Sequence, residues 1–268
     1  MKKYSNLNVM SNYQRELAFG RSLARRAGAL ALKYREGGIG HEVKSDESPV
    51  TVADKECEKL IVAAIETEFP EDGILGEEGT AKDTPNGRKW IVDPIDGTRD
   101  FIRGTRAWSV LIGLEEAGNV VAGFAYFPST DELFSASKGG GAFWDENRIS
   151  VSNITARTQA LICVNGFSYM RRFPFADNLL EFLETFWTVR SMGGCLDAML
   201  VSSGRADVWL EAQAKPWDLA PLKIIATEAG AVTFDFEGKD TIYGGNFVIT
   251  VPALADEVKR FVTLKSKL

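Results

Sequence analysis

The stretch Trp90-Ile91-Val92-Asp93-Pro94-Ile95-Asp96-Gly97-Thr98 runs from three apolar side chains into two carboxylates three positions apart, then into a glycine. The apolar run reads as a β-strand that delivers Asp93 at its C-terminal end. Pro94 removes a backbone donor and fixes φ, so the chain is expected to turn sharply there and aim both acids into one cleft. Gly97 lets the backbone approach a ligand, and a helix starting at Thr98 would offer free N–H groups to an anion. Carboxylates beside an anion repel it. A divalent cation between them removes the conflict, so the spacing points to a metal plus a phosphate.

Working outward, Gly76-Glu77-Glu78-Gly79 supplies two more acids at another strand end, and Asp218 follows Lys215-Pro216-Trp217 at the start of a helix. Oxygen-only ligands select hard cations, above all Mg²⁺. Two such ions about 3.5–4 Å apart can activate a water and stabilise the leaving oxygen of a phosphoryl displacement. Each piece has a plainer reading: a solvated Asp-Pro-x-Asp-Gly turn, a charged surface turn at Glu77-Glu78, a helix cap at Asp218. Their joint occurrence, each at the end of an apolar run, favours a site.

Composition narrows the chemistry. The 268 residues hold one histidine, His41, so mechanisms that need a histidine pair are excluded. Cys57, Cys163 and Cys195 are odd in number and set in apolar stretches, as reduced thiols of an intracellular protein are. With 37 acidic against 31 basic side chains the net charge is −6, which argues against non-specific nucleic-acid binding. No apolar run reaches the ~18 residues of a membrane span, and the basic N-terminus has no apolar segment behind it. A cytoplasmic location without membrane association is expected.

A helix over 16–34 follows from Leu17, Leu23, Ala24, Ala27, Leu30 and Ala31 at helical spacing. The polar segment 39–50 reads as a loop. A second helix is expected over 51–69, burying Val52, Leu60, Ile61, Ala64 and Ile65, and Pro70-Glu71-Asp72-Gly73 stops it. Strands at 73–77, 90–93, 107–114, 120–127, 132–137 and 141–144 form a β-meander. Beyond a polar stretch, strands at 160–164, 188–191, 207–211 and 232–234 alternate with helices at 175–186, 196–203 and 218–229, and a last helix covers 253–264. Strands followed by alternating strands and helices imply a layered α/β chain of two halves, 1–150 with most of the acids and 151–268 with Asp218.

The combined pattern Ser48-Pro49-Val50-Thr51-Val52-Ala53-Asp54, Ile74-Leu75-Gly76-Glu77-Glu78, Trp90 to Thr98, Trp217-Asp218 and Thr227-Glu228-Ala229-Gly230-Ala231 resembles the inositol monophosphatase-like, magnesium-dependent, lithium-sensitive phosphatases. The resemblance implies a layered αβαβα sugar-phosphatase fold, often dimeric, with two or three Mg²⁺ ions. Glu77, Asp93 and the carbonyl of Ile95 would hold the first ion, and Asp93, Asp96 and Asp218 the second. Glu77 and Thr98 would orient the attacking water, with Asp54 bonded to the Thr98 hydroxyl. Lys44 matches a mobile loop near a third ion. Substrate contacts would come from Asp96, from Gly97 and Thr98 through their N–H groups, from Gly193-Gly194-Cys195, and from Glu211.

The implied reaction is hydrolysis of a small polyol or amino-alcohol phosphate by a metal-activated water, without a phosphoenzyme. Inositol phosphate and histidinol phosphate stand nearly level as substrates. The segment around Gly193 is one residue shorter than in inositol phosphatases, while Arg99, Trp108 and Cys195 partly fit histidinol-phosphate phosphatases. Fructose 1,6-bisphosphatase and 3′(2′),5′-bisphosphate nucleotidase activities rank lower. A non-enzymatic regulatory role, as some relatives have with RNA polymerase, is disfavoured because every expected ligand is present.

Overall fold

The structure is a computed structural model and describes residues 12–37, 41–43 and 49–264. Its elements run α1 (Gln14–Glu36), β1 (His41–Val43), β2 (Pro49–Thr51), α2 (Val52–Glu68), β3 (Gly73–Gly76), β4 (Ala81–Lys82), β5 (Arg88–Asp96) and α3 (Thr98–Arg103). Next come β6 (Ser109–Glu116), β7 (Asn119–Phe127), β8 (Glu132–Ser137), β9 (Gly141–Trp144) and β10 (Asn147–Ile149). The chain continues through β11 (Leu161–Asn165), α4 (Phe167–Met170), α5 (Leu179–Leu183), β12 (Thr188–Arg190), α6 (Gly194–Ser202) and β13 (Val208–Glu211). It closes with α7 (Pro216–Glu228), β14 (Val232–Phe234), β15 (Phe247–Thr250) and α8 (Ala255–Val262).

Among the described residues the strands form an eight-stranded sheet, β10-β9-β8-β7-β6-β5-β3-β4, a five-stranded sheet, β12-β11-β13-β15-β14, and the pair β1-β2. The period of two along each strand sorts the core into layers. In β5 to β8, Trp90, Val92, Val110, Ile112, Ala122 and Phe124 pack with Leu23 and Ala27 of α1 and Ile61 and Ile65 of α2. Their neighbours Ile91, Leu111, Ala125 and Phe134 face the other way, onto α6 and α7, which also meet Cys163, Trp209, Phe247 and Ile249 of the second sheet. The far face of that sheet, Ile162, Val164, Val208, Leu210 and Val248, is covered by α5 and α8. The order is therefore α1/α2, sheet, α6/α7, sheet, α5/α8, an αβαβα stack.

Position in the stack explains the helix sequences. The outer helix α1 is amphipathic, with arginines outward, whereas α7 lies between two sheets and buries Leu219, Ala220, Leu222, Ile224, Ile225 and Ala226 around its circumference. Gly113 and Gly123, paired across β6 and β7, let α7 sit directly on the first sheet. A Cβ on Gly113 would come 2.7 Å from the Ala220 Cβ.

Several expectations change. The segment read as a loop over 39–50 carries β1 and begins β2, antiparallel with His41 opposite Thr51; Lys44 lies outside the described residues. On α2, Val52 is 58% exposed. The buried face begins instead at Ala53, Asp54, Cys57 and Glu58, so it passes through two acids that an apolar count rejects. The helix expected over 175–186 is a 3₁₀ turn, Ala176–Asn178, followed by the short α5. The strand β15, unforeseen, lies inside the second sheet between β13 and β14.

Candidate active site

The strand carrying Asp93 does not stop there. β5 continues to Asp96, with Asp93 opposite Leu111 and Asp96 opposite Ser109, so one extra residue is accommodated at Pro94-Ile95. This bulge replaces the expected sharp turn, and its cause is Pro94, which has no N–H to give the ladder. On a regular strand, residues three apart point to opposite faces; the extra residue restores the phase, and both acids project on the α7 side. Gly97 then takes a left-handed conformation, φ 81°, as the N-cap of α3. A Cβ there would lie 2.9 Å from the carbonyl oxygen of Ala107.

Helix N-termini bring the remaining groups to the same place. Thr51 caps α2, and Asp54, three residues on, accepts the Thr51 N–H at 2.8 Å in a capping box. The other oxygen of Asp54, Oδ1, lies 3.3 Å from Thr98 Oγ1, which is also 3.3 Å from the carbonyl of Ile95. Asp218 occupies the corresponding position in α7 and accepts the Lys215 N–H at 2.7 Å. Cys195, at the start of α6, has its thiol 3.0 Å from Ser109 Oγ.

Glu77, Asp93, Ile95, Asp96, Gly97, Thr98, Arg99, Asp100, Gly194, Glu211 and Asp218 line one cleft of about 290 Å³. Asp54 stands one hydrogen bond behind it. Cys195 is 2% exposed and sits behind Asp96, to which it is hydrogen-bonded, and Gly193 packs near Ala107. Trp108 is fully buried against Phe101 at 4.8 Å rather than in the cleft. Sequence reasoning passed over Glu58, which accepts the Glu78 N–H at 2.8 Å and so reaches the turn that carries Glu77. Its only signal was its place one helical turn after Asp54.

Electrostatically the cleft is under tension. Asp93, Asp96 and Asp218 offer ligand oxygens within 4.8 Å of one another. At an effective dielectric near 20, two unit charges at that separation repel by about 3 kcal/mol. Burial, reinforced by the charges of Glu77, Asp96 and Asp218, pushes the Asp93 carboxyl well above the usual carboxylate range. Asp218 rises likewise, through burial and then Asp96, and Asp96 is pushed up to about 6, mainly by burial. Among the described residues no Lys or Arg forms an ion pair with these three aspartates. One buried and two half-buried acids without a cationic side chain, in an all-oxygen donor set, fit a divalent metal ion. Across the cleft Glu211 is buried and pushed up to about 7, chiefly by desolvation.

Comparison with known proteins agrees with this geometry. The sequence pattern of the inositol monophosphatase family matches residues 12–262. A histidinol-phosphatase of Chlorobaculum parvum is 37% identical over 237 residues, 88% of this chain and 91% of that protein. A histidinol-phosphatase of Mycobacterium tuberculosis is 35% identical over 250 residues, 91% of this chain and 96% of that protein. The solved IMPase of Thermotoga maritima superposes with a TM-score of 0.83 at 30% identity, over 93% of this chain and 97% of its own. Five layers around an acid-lined cleft define a phosphoric monoester hydrolase of a metal-dependent kind. The chain belongs to the inositol monophosphatase family.

Proposed function

We propose that this protein is a Mg²⁺-dependent phosphomonoesterase whose substrate is a small amino-alcohol phosphate, of which histidinol phosphate is the leading case. The observation that carries the substrate class is Glu211, a carboxylate only 9% exposed, lining the cleft that holds the acid cluster. An acid held near neutrality by burial gains most from a cation, because an ammonium group both pairs with it and relieves the negative field of the cleft. A polyol offers hydroxyl hydrogen bonds without that charge. The two histidinol-phosphatases at 37% and 35% identity point the same way.

Glu77, Asp93 and the Ile95 carbonyl would hold one Mg²⁺, and Asp93, Asp96 and Asp218 a second. A third ion would bind more weakly. When bound, the ions supply neutralising charge, Lewis acidity toward phosphoryl oxygens and a lowered pKa for water. The Thr98 hydroxyl directs its single proton to Asp54 or to the Ile95 carbonyl, leaving a lone pair to accept a proton from the attacking water. Glu77 orients the same water. The N–H groups of Gly97 and Thr98 bind the phosphate, and Cys195 holds Asp96 in place from behind. The water oxygen bonds to phosphorus as the P–O ester bond breaks, the proton it gives up passes through the Thr98 hydroxyl to Asp54 and on to solvent, and the leaving alkoxide takes a proton from solvent.

The halves 1–150 and 151–268 share the site, since Asp218 and Glu211 come from the second. The three thiols, free and buried, suit a reducing cytoplasm, and among the described residues no helix is long and apolar enough to cross a membrane. A homodimer belongs to this reading as an expectation drawn from the resemblance alone. The test is phosphate release with Mg²⁺ from L-histidinol phosphate, myo-inositol 1-phosphate and fructose 1,6-bisphosphate. kcat/KM for histidinol phosphate should exceed the others by at least tenfold; a preference of that size for inositol phosphate would overturn the substrate class.

A further inference from the structure

The face of α2 that holds Asp54 carries a second buried acid one turn on. Glu58 is 3% exposed. Its Oε2 accepts the Glu78 N–H at 2.8 Å, and its Oε1 accepts the Thr80 N–H at 3.1 Å and the Thr80 hydroxyl at 2.6 Å. Both carboxylate oxygens are therefore spent on the turn from Gly76 to Thr80. That turn closes on itself through Gly76 N–H to the Thr80 carbonyl at 2.7 Å. A Cβ on Gly76 would come 2.5 Å from Glu58 Oε2, so the carboxylate occupies the space a side chain there would need.

Glu77 lies in the middle of this arrangement. Its own N–H donates to the carbonyl of Val92, the residue before Asp93, at 3.1 Å. The next N–H along, that of Glu78, is held by Glu58. With the N–H groups on both sides of its Cα fixed, the direction of the Glu77 side chain is set relative to β5 and to α2 together. We propose that Glu58 is a positioning residue for Glu77: one face of α2 aligns Thr98 through Asp54 and the Glu77 turn through Glu58. This rests on the reading of Glu77 as a metal ligand. Partners of this kind typically contribute 10–100-fold to metal affinity or activity.

Glu58→Gln keeps the size but turns an amide NH₂ toward backbone N–H donors, which breaks at least one of the three bonds. Mg²⁺ binding is measured calorimetrically, with no substrate, on the wild type, Glu58→Gln, Glu77→Gln and the double variant, alongside thermal unfolding in EDTA and steady-state kinetics. The expected result is a 10–100-fold rise in the Mg²⁺ Kd of Glu58→Gln, a lower kcat and an unchanged KM for the phosphate ester. In the Glu77→Gln background the same change should raise Kd no further. A merely structural Glu58 would lower the unfolding temperature and leave the Mg²⁺ Kd alone, and that result overturns the inference. So does a double variant in which the two effects multiply. Wild-type Mg²⁺ affinity in Glu77→Gln overturns the metal-site reading and the inference with it, whereas a weakened Glu77→Gln beside an unaffected Glu58→Gln overturns the inference alone. If Glu58→Gln does not fold by circular dichroism, Thr80→Val, which leaves the carboxylate intact, must raise the Mg²⁺ Kd about threefold or more for the inference to stand.

Discussion

Replacing Glu211 with Gln removes a carboxylate that burial has pushed from 4.5 up to about 7. A raised carboxylate means that the folded protein binds this proton more tightly than the unfolded chain does. Stability therefore falls as pH rises between those two values, is unaffected by the group below about 4.5, and carries the whole deficit above about 7. At 1.36 kcal/mol per pH unit the interval amounts to about 3 kcal/mol. With about 2.1 cal/mol/K of unfolding entropy per residue over the 268 residues of the chain, that corresponds to about 6 °C in Tm. In EDTA, Glu211→Gln should thus gain about 6 °C on the wild type between pH 4.5 and pH 8. Calorimetric or circular-dichroism melts at the two pH values measure it. The reasoning fails if the Tm difference between the two proteins is the same at both.

The same carboxylate gives the substrate reading a pH signature. A substrate ammonium beside Glu211 keeps the acid charged, so KM for histidinol phosphate should rise as pH falls through about 7 in the wild type, where the proton competes with the cation. Titration of the phosphate itself is common to both proteins, so the Glu211→Gln profile subtracts it. Loss of a buried charge pair of this kind costs about 2–5 kcal/mol, and kcat/KM for the amino-alcohol ester should drop accordingly, with a smaller loss for myo-inositol 1-phosphate.

Asp96→Asn should abolish turnover and weaken Mg²⁺ binding, since it removes one of three ligand oxygens within 4.8 Å of each other. Mg²⁺ at about 100 times its Kd should stabilise the wild type by about 2.7 kcal/mol in thermal melts and leave Asp96→Asn nearly unmoved; wild-type turnover in that variant would refute the site. Thr98→Val should lower kcat by about 10²-fold, as loss of a group positioned for proton transfer does, with little change in KM. Far from the chemistry, Gly113→Ala would place a Cβ 2.7 Å from that of Ala220 and should destabilise by about 1–3 kcal/mol through overpacking between β6 and α7, read as a lower urea midpoint with unaltered KM.

What the sequence disclosed depended on whether the signal was local. The acids at Glu77, Asp93 and Asp96 follow apolar residues at a strand end and Asp218 opens an apolar helix, and that pattern survives without knowledge of the fold. The strand meander and the inner helices also have local periodicity, and α7 is apolar all round because two sheets enclose it. The bulge at Pro94-Ile95 was invisible, because a proline before a second acid reads equally well as a turn or as a strand that slips by one residue. β15 was missed because its burial comes from its place between β14 and the more distant β13, which no turn signal of its own announces. Glu58 was missed for the opposite reason. An acid on the buried face of a helix contradicts the amphipathic rule, and only the donors of Glu78 and Thr80 explain why it is tolerated there.

The two readings of Asp218, helix cap and metal ligand, are compatible in this geometry. Asp54 and Asp218 each use one oxygen to accept the N–H of the residue that precedes their helix, a bond that favours the helix whether or not any ligand is present. That bond also fixes each carboxylate, so that Asp218 lines the cleft and Asp54 turns its remaining oxygen to Thr98 without further ordering. The positive end of the helix partly offsets the repulsion among the acids. Local folding energy therefore holds a cluster of carboxylates whose mutual repulsion opposes the fold, and the ion that relieves this repulsion finds its ligands already oriented.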